Sequence, residues 1–223
     1  MSATGTQAAD ALAVLPAEFT LTGPQSSQRL LVENVRDGLI VGQVTEGVTF
    51  TSSDESIVRI EDGVALPVGN GTATITATAG ESTAAATVIV ERQDAPFVWS
   101  FRNHVQSVLS KAGCNSGACH GAAAGKNGFK LSLRGYDPEA DYWMITRQSR
   151  GRRIVPGDPG RSLLLTKPSG AVPHKGGLRF EPGSVDYRVI AEWIAAGHPG
   201  PSEEDARIDH LEILPAGAVL TPG

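Results

Sequence analysis

The residues best suited to chemistry are two cysteines and a histidine in one short run, Cys114-Asn115-Ser116-Gly117-Ala118-Cys119-His120. The chain has no other cysteine. A Cys-His pair is the arrangement expected where a thioether-forming thiol stands beside a proximal imidazole. The run is therefore read as the attachment site of one covalent c-type haem, with Cys114 and Cys119 adding to the vinyl groups and His120 ligating iron. The common spacing leaves two residues between the thiols. Four residues require the loop to bulge, which Gly117 and the small Asn115, Ser116 and Ala118 permit. Three other chemistries use the same residues: a Cys114–Cys119 disulfide, a zinc site completed by a ligand such as His174, or two buried thiols without a ligand.

A haem iron so held needs a donor on its other face. His174, in Pro173-His174-Lys175-Gly176-Gly177, is the expected distal ligand, because the glycines let backbone approach a flat ring closely. Bis-histidine ligation implies a lower reduction potential than a thioether ligand gives. His104, Met144 and His198 are weaker candidates, and an exchangeable sixth position is the remaining option. Arg152, Arg153 and Arg179 are candidates for the haem propionates, since guanidinium groups pair bidentately with carboxylates. Lys111, Lys126, Lys130 and Lys175 could rim the haem edge and steer an acidic redox partner.

The elements that must hold these residues change character along the chain. Residues 1–97 hold 12 acidic and 4 basic residues, whereas residues 98–223 hold 12 and 15. The first part reads as short strands between turns: in Gly71–Ala77, Thr72, Thr74 and Thr76 alternate with Ala73, Ile75 and Ala77, a half-buried strand. Seven such runs predict a small β-sandwich over 11–92. Residues 93–97 read as a linker. From Val98 the period becomes helical, with helices expected at 97–111, 138–145, 159–167 and 183–196. Asp137 and Pro138 open the second, and Gly197 closes the last. Phe101 and Trp193 are expected to cross where the first and last helices pack.

Leu12-Ala13-Val14-Leu15-Pro16-Ala17 recurs as Leu211-Glu212-Ile213-Leu214-Pro215-Ala216, and Leu21-Thr22 as Leu220-Thr221. Residues 201–223 are accordingly read as a linker and the first strand of a second, truncated β domain, with a strand of the helical domain as the rival reading.

Two resemblances follow. Residues 12–91 resemble the bacterial Ig-like group 2 domain, through Thr51–Ile57, Asp62-Gly63-Val64 and Gly69–Ile75, with Phe50 where a tryptophan is usual. Residues 98–198 resemble the cytochrome c-like haem domains of large planctomycete multidomain proteins. That likeness rests on Gly113–Gly121, Gly125–Phe129, Leu133–Tyr136, Pro156–Pro159, Ser162–Leu165, Pro173–Gly177 and Trp193-Ile194. Together they imply an all-β Ig-like sandwich followed by a mostly α class I cytochrome c-like domain, residues 98–200.

The function expected is one-electron transfer in preference to catalysis, inside a larger extracytoplasmic protein, with a redox protein and adjacent Ig-like domains as partners. A haem enzyme or gas sensor and a structural or binding module with a Cys/His zinc site are the alternatives. No window of about 18 apolar residues is present, so no membrane span is expected. A balance of +3 over residues 98–223 is too small to suggest nucleic-acid binding. No Walker loop, dinucleotide fingerprint or H-E-x-x-H sequence occurs.

Overall fold

The structure is a computed structural model and describes residues 11–215. It divides into two compact units, residues up to Phe97 together with the segment from His210, and Val98–Asp209.

The first unit is built from strands β1 (Ala11–Leu15), β2 (Glu18–Thr22), β3 (Gln28–Arg29), β4 (Leu31–Arg36), β5 (Leu39–Gln43), β6 (Val48–Ser52), β7 (Val58–Glu61), β8 (Val64–Pro67), β9 (Gly71–Ala79) and β10 (Ser82–Glu91). They form three sheets, ordered β1-β4-β5, β2-β10-β9-β6 and β3-β8-β7. β10 lies antiparallel to β9 and parallel to β2. The expected alternation in β9 is present: Ala73, Ile75 and Ala77 are buried, while Thr72 and Thr74 face solvent. Val14, Leu21, Val32, Val58, Val88 and Val90 join them in one apolar core. The unit is an Ig-like β-sandwich. Among the described residues, the segment from Leu211 to Pro215 forms no strand, and Leu211 and Ile213 are exposed. Ala216, Leu220 and Thr221 lie outside the described residues.

The second unit corrects the expected fold. It carries only four short α-helices, α1 (Gln106–Lys111), α2 (Pro138–Thr146), α3 (Leu163–Thr166) and α4 (Val185–Ala195). The rest is turns and extended loop, and the chain's regular structure is mostly β. It is not a mostly α cytochrome-like domain. Apolar stripes of helical period do exist, but backbone breaks cut them short. The helix expected from 97 starts as a π-helical turn at Phe101–Val105, capped by Ser100, whose hydroxyl accepts from the Asn103 N–H. The one expected at 159 is a 3₁₀ turn, Pro159–Arg161, before four residues of α3.

Asp137 caps α2 by accepting from the Ala140 N–H, with Pro138 in the first turn. α4 buries Val189, Ile190, Trp193 and Ile194, but Val185, expected in its stripe, is exposed. Phe101 and Trp193 do meet, with ring centres 5.5 Å apart. Both are fully buried among Val105, Leu109, Leu131, Ile145 and Leu165. Among the described residues no helix is long and apolar enough to cross a membrane.

Candidate functional site

The Cys114–His120 run follows α1 directly, and its shape is set by backbone hydrogen bonds. The Cys114 N–H donates to Leu109, those of Cys119 and Gly121 to Ser116, and that of His120 to Cys114. A side chain at Gly121 would collide with the Asn115 and Ser116 carbonyls, so the tight return after His120 demands glycine. Asn115 is buried, donates to Ser110 Oγ at 2.7 Å, and accepts the Arg134 N–H through its carbonyl. The loop is a closed, self-supported turn.

The two thiols have different surroundings. Cys114 packs against the hydrophobic core, and burial pushes its thiol up to about 11, although the nearby Arg179 guanidinium pulls the other way. With that shift it is a neutral thiol at physiological pH. Cys119 accepts from the Arg179 guanidinium at 3.7 Å. Both cysteines are free, so the disulfide reading is also not realised.

His120 and His174 come from separate loops to one place. Their ring centres lie 6.4 Å apart with the planes only 9° from parallel. Each Nδ1 sits 3.1 Å from a backbone carbonyl oxygen, Phe129 for His120 and Gly177 for His174. A carbonyl oxygen only accepts, so each Nδ1 carries the proton and each Nε2 of a neutral ring keeps a lone pair.

Local sequence explains both latches. Asn127 and Gly128, at φ 50° and 72°, close a hairpin in which Lys126 and Phe129 exchange backbone hydrogen bonds, and this aims the Phe129 carbonyl at His120. Gly177, at φ 71°, donates its N–H to the His174 carbonyl and turns its own carbonyl to that ring. A methyl group at Gly176 would stand 2.6 Å from His174 Cε1. Burial lowers the pKa of the His120 imidazole, with His174, Arg153 and Lys126 adding repulsion and the Phe129 carbonyl opposing them.

The arginines divide sharply. Arg153 is buried, donates to the carbonyls of Met144, Gln148 and Gly128, and lies 4.4 Å above the Phe129 ring. Arg152 points to solvent. Arg179 bridges Cys119 and the Ala112 carbonyl. Of the weaker ligand candidates, His104 accepts the Ser100 N–H at 3.0 Å, and His198 lies beside Tyr142.

The site residues that sequence reasoning missed are carbonyls and ring partners, Phe129 above all, whose ring centre is 4.5 Å from that of His120. Its position is marked in the sequence by the hairpin signal Asn127-Gly128 inside the Gly125–Phe129 stretch.

No protein-family model matches the chain, and no curated protein matches it. Domains 4 and 5 of the S-layer protein SbsC are 20% identical, over 35% of this chain and 50% of that one, with a TM-score of 0.29. A mutant intimin of EHEC O157:H7 is 22% identical over 34% of this chain and 36% of that one, with a TM-score of 0.24. The M1 domain of titin is 9% identical, over 37% of this chain and 92% of that one, with a TM-score of 0.21. The chain thus spans half or less of the two bacterial structures.

The arrangement of the side chains corrects the expected cofactor. Among the described residues no three His, Cys, Asp or Glu side chains gather to hold a metal ion. The likeness to cytochrome c-like domains, the c-type haem, the iron and the one-electron transfer are withdrawn together. The haem enzyme or gas sensor falls with them, and the Cys/His zinc cluster is not formed either.

Proposed function

We propose that this chain is a structural and binding module of an extracytoplasmic protein, in which the Ig-like unit is a spacer and the second unit holds a soft metal ion between His120 and His174. The observation that carries the reading is the pair of parallel imidazoles, each latched through Nδ1 to a carbonyl. Such a carbonyl fixes the tautomer and raises the basicity of the other nitrogen, the usual support of a metal-ligating histidine.

Imidazole nitrogens suit copper and zinc. Lys126 and Arg153 act on the same site, which favours a singly charged ion over a dication.

The test is an anaerobic competition titration of the purified full chain with a chromogenic copper(I) chelator. One ion should bind per chain, and His120→Ala and His174→Ala should each lower the affinity at least about tenfold, the low end for disturbing a metal site. Zinc should bind far more weakly. Equal copper affinity in both histidine variants and the parent chain would remove the reading.

A further inference from the structure

We propose that the exposed arginines of the loop Arg147–Arg153, together with Trp143, form a recognition surface for an acidic polysaccharide. The segment Arg147-Gln148-Ser149-Arg150-Gly151-Arg152-Arg153 holds four arginines, and the histidine pair uses none of the three exposed ones. α2 ends at Thr146, and the Arg147 N–H closes its last turn on the Trp143 carbonyl. The chain then reverses through three successive left-handed residues, Ser149, Arg150 and Gly151, at φ 56°, 63° and 66°. Serine and arginine rarely adopt this conformation, because their Cβ crowds the following carbonyl. Strain of this kind collects where a segment is held in one shape for a task.

The reversal sorts the arginines. Arg153 turns inward, and its three carbonyl contacts and its position over Phe129 fix the base of the loop. Arg147, Arg150 and Arg152 are thrown outward and exposed. Among the described residues none of the three has an ion pair or a side-chain hydrogen bond. Three uncompensated guanidinium groups within six residues form a local positive field on a chain whose net charge is -5.

Trp143 supplies the second half of the surface. It lies four residues before Arg147, on the same face of α2, and its side chain is 54% exposed. The other two tryptophans, Trp99 and Trp193, are buried. An indole face in water beside guanidinium forks matches a sugar ring bearing carboxylate or sulfate. The ring's apolar face stacks on the indole, and the anionic group takes paired N–H donors. A single-stranded nucleic acid calls instead for a basic groove with successive stacking aromatics, and this surface offers one indole.

The experiment uses the full chain with heparin as the sulfated probe, polygalacturonate as the carboxylated one, dextran as the neutral control and a single-stranded oligonucleotide as the rival polyanion. Heparin, polygalacturonate or both should bind, with affinity falling as salt rises, and which of them binds identifies the anionic group. Because the other tryptophans are buried, binding should shift the fluorescence of Trp143. Replacing Arg147, Arg150 and Arg152 together with Gln should weaken binding by about a hundredfold, and Trp143→Ala by about tenfold, on the scale of tenfold per 1.4 kcal/mol. All four side chains are exposed, so melting temperatures should stay near the parent value, and His174→Ala should leave polysaccharide binding unchanged. Dextran binding as tightly as heparin, a triple variant as tight as the parent, or an oligonucleotide bound as tightly through the same arginines would each overturn the proposal.

Discussion

Gly176→Ala tests the histidine pair without removing a ligand. The backbone at Gly176 is not in the left-handed region, so alanine meets no backbone penalty there, but its methyl would stand 2.6 Å from His174 Cε1, 3.0 Å from Nε2 and 3.2 Å from Nδ1. The ring must swing aside. That motion breaks the 3.1 Å bond from Nδ1 to the Gly177 carbonyl and widens or tilts the 6.4 Å gap to His120. Losing one such hydrogen bond at a solvated turn costs about 1 kcal/mol of stability at most. The binding consequence should be larger, because the same bond sets which nitrogen faces the ion. Disturbing a ligand's supporting contact lowers metal affinity by about 10- to 100-fold. Chelator competition for copper(I) measures the second effect and urea unfolding the first. The reasoning fails if affinity is unchanged while stability drops, because the ring would then have moved without mattering to the ion.

Four further outcomes follow from the packing. Trp193→Ala should cost about 3–5 kcal/mol in urea unfolding, since the side chain is fully buried against Phe101 and its indole N–H donates to the Pro199 carbonyl. Asp141→Asn should cost about 1–3 kcal/mol with no change in m-value: the buried carboxylate accepts from the Ser132 N–H, the Ser132 hydroxyl and Gln106, and an amide turns one N–H against these donors. Arg150→Gly should raise stability by about 1 kcal/mol by relieving a left-handed arginine, while weakening polysaccharide binding in the same preparation. Burial lowers the pKa of His104, so its protonation is disfavoured in the folded state and its contribution to stability is lost as pH falls below 6.5. His104→Asn, which keeps an acceptor for the Ser100 N–H, should flatten that part of the stability–pH curve.

How much of this was legible depended on whether a residue's role was local. The threonine and alanine alternation of β9 could be read because an antiparallel strand with one wet face imposes a period of two. The Asp137-Pro138 cap could be read because it is complete within four residues. The helix lengths of the second unit could not, since apolar periodicity records which face is buried and not where the hydrogen-bond ladder stops. Val185 keeps the period and is exposed; Phe101 starts a π-helical turn where a straight helix was expected. The Asp141, Ser132 and Gln106 cluster joins three separate parts of the chain, and no spacing rule gathers them.

The candidate site separates the same way. Cys114, Cys119 and His120 were conspicuous because they are neighbours in sequence, and adjacency made them look like one functional set. In the fold their surroundings differ: Cys114 packs partly buried against the core, Cys119 accepts from Arg179, and the His120 ring lies parallel to that of a histidine from a distant loop. What joins His120 to His174 is a pair of carbonyls, presented by the Asn127-Gly128 hairpin and the Gly177 turn. Carbonyls are the same for every residue type, so only the turn-forming residues around them leave a mark in the sequence. The arginine loop shows the converse. Four arginines fall within seven residues of sequence, but only the fold shows that Arg153 is structural and that Arg147, Arg150 and Arg152 are exposed. In both places the positive-φ turns, more than the reactive side chains, determine what each loop can bind.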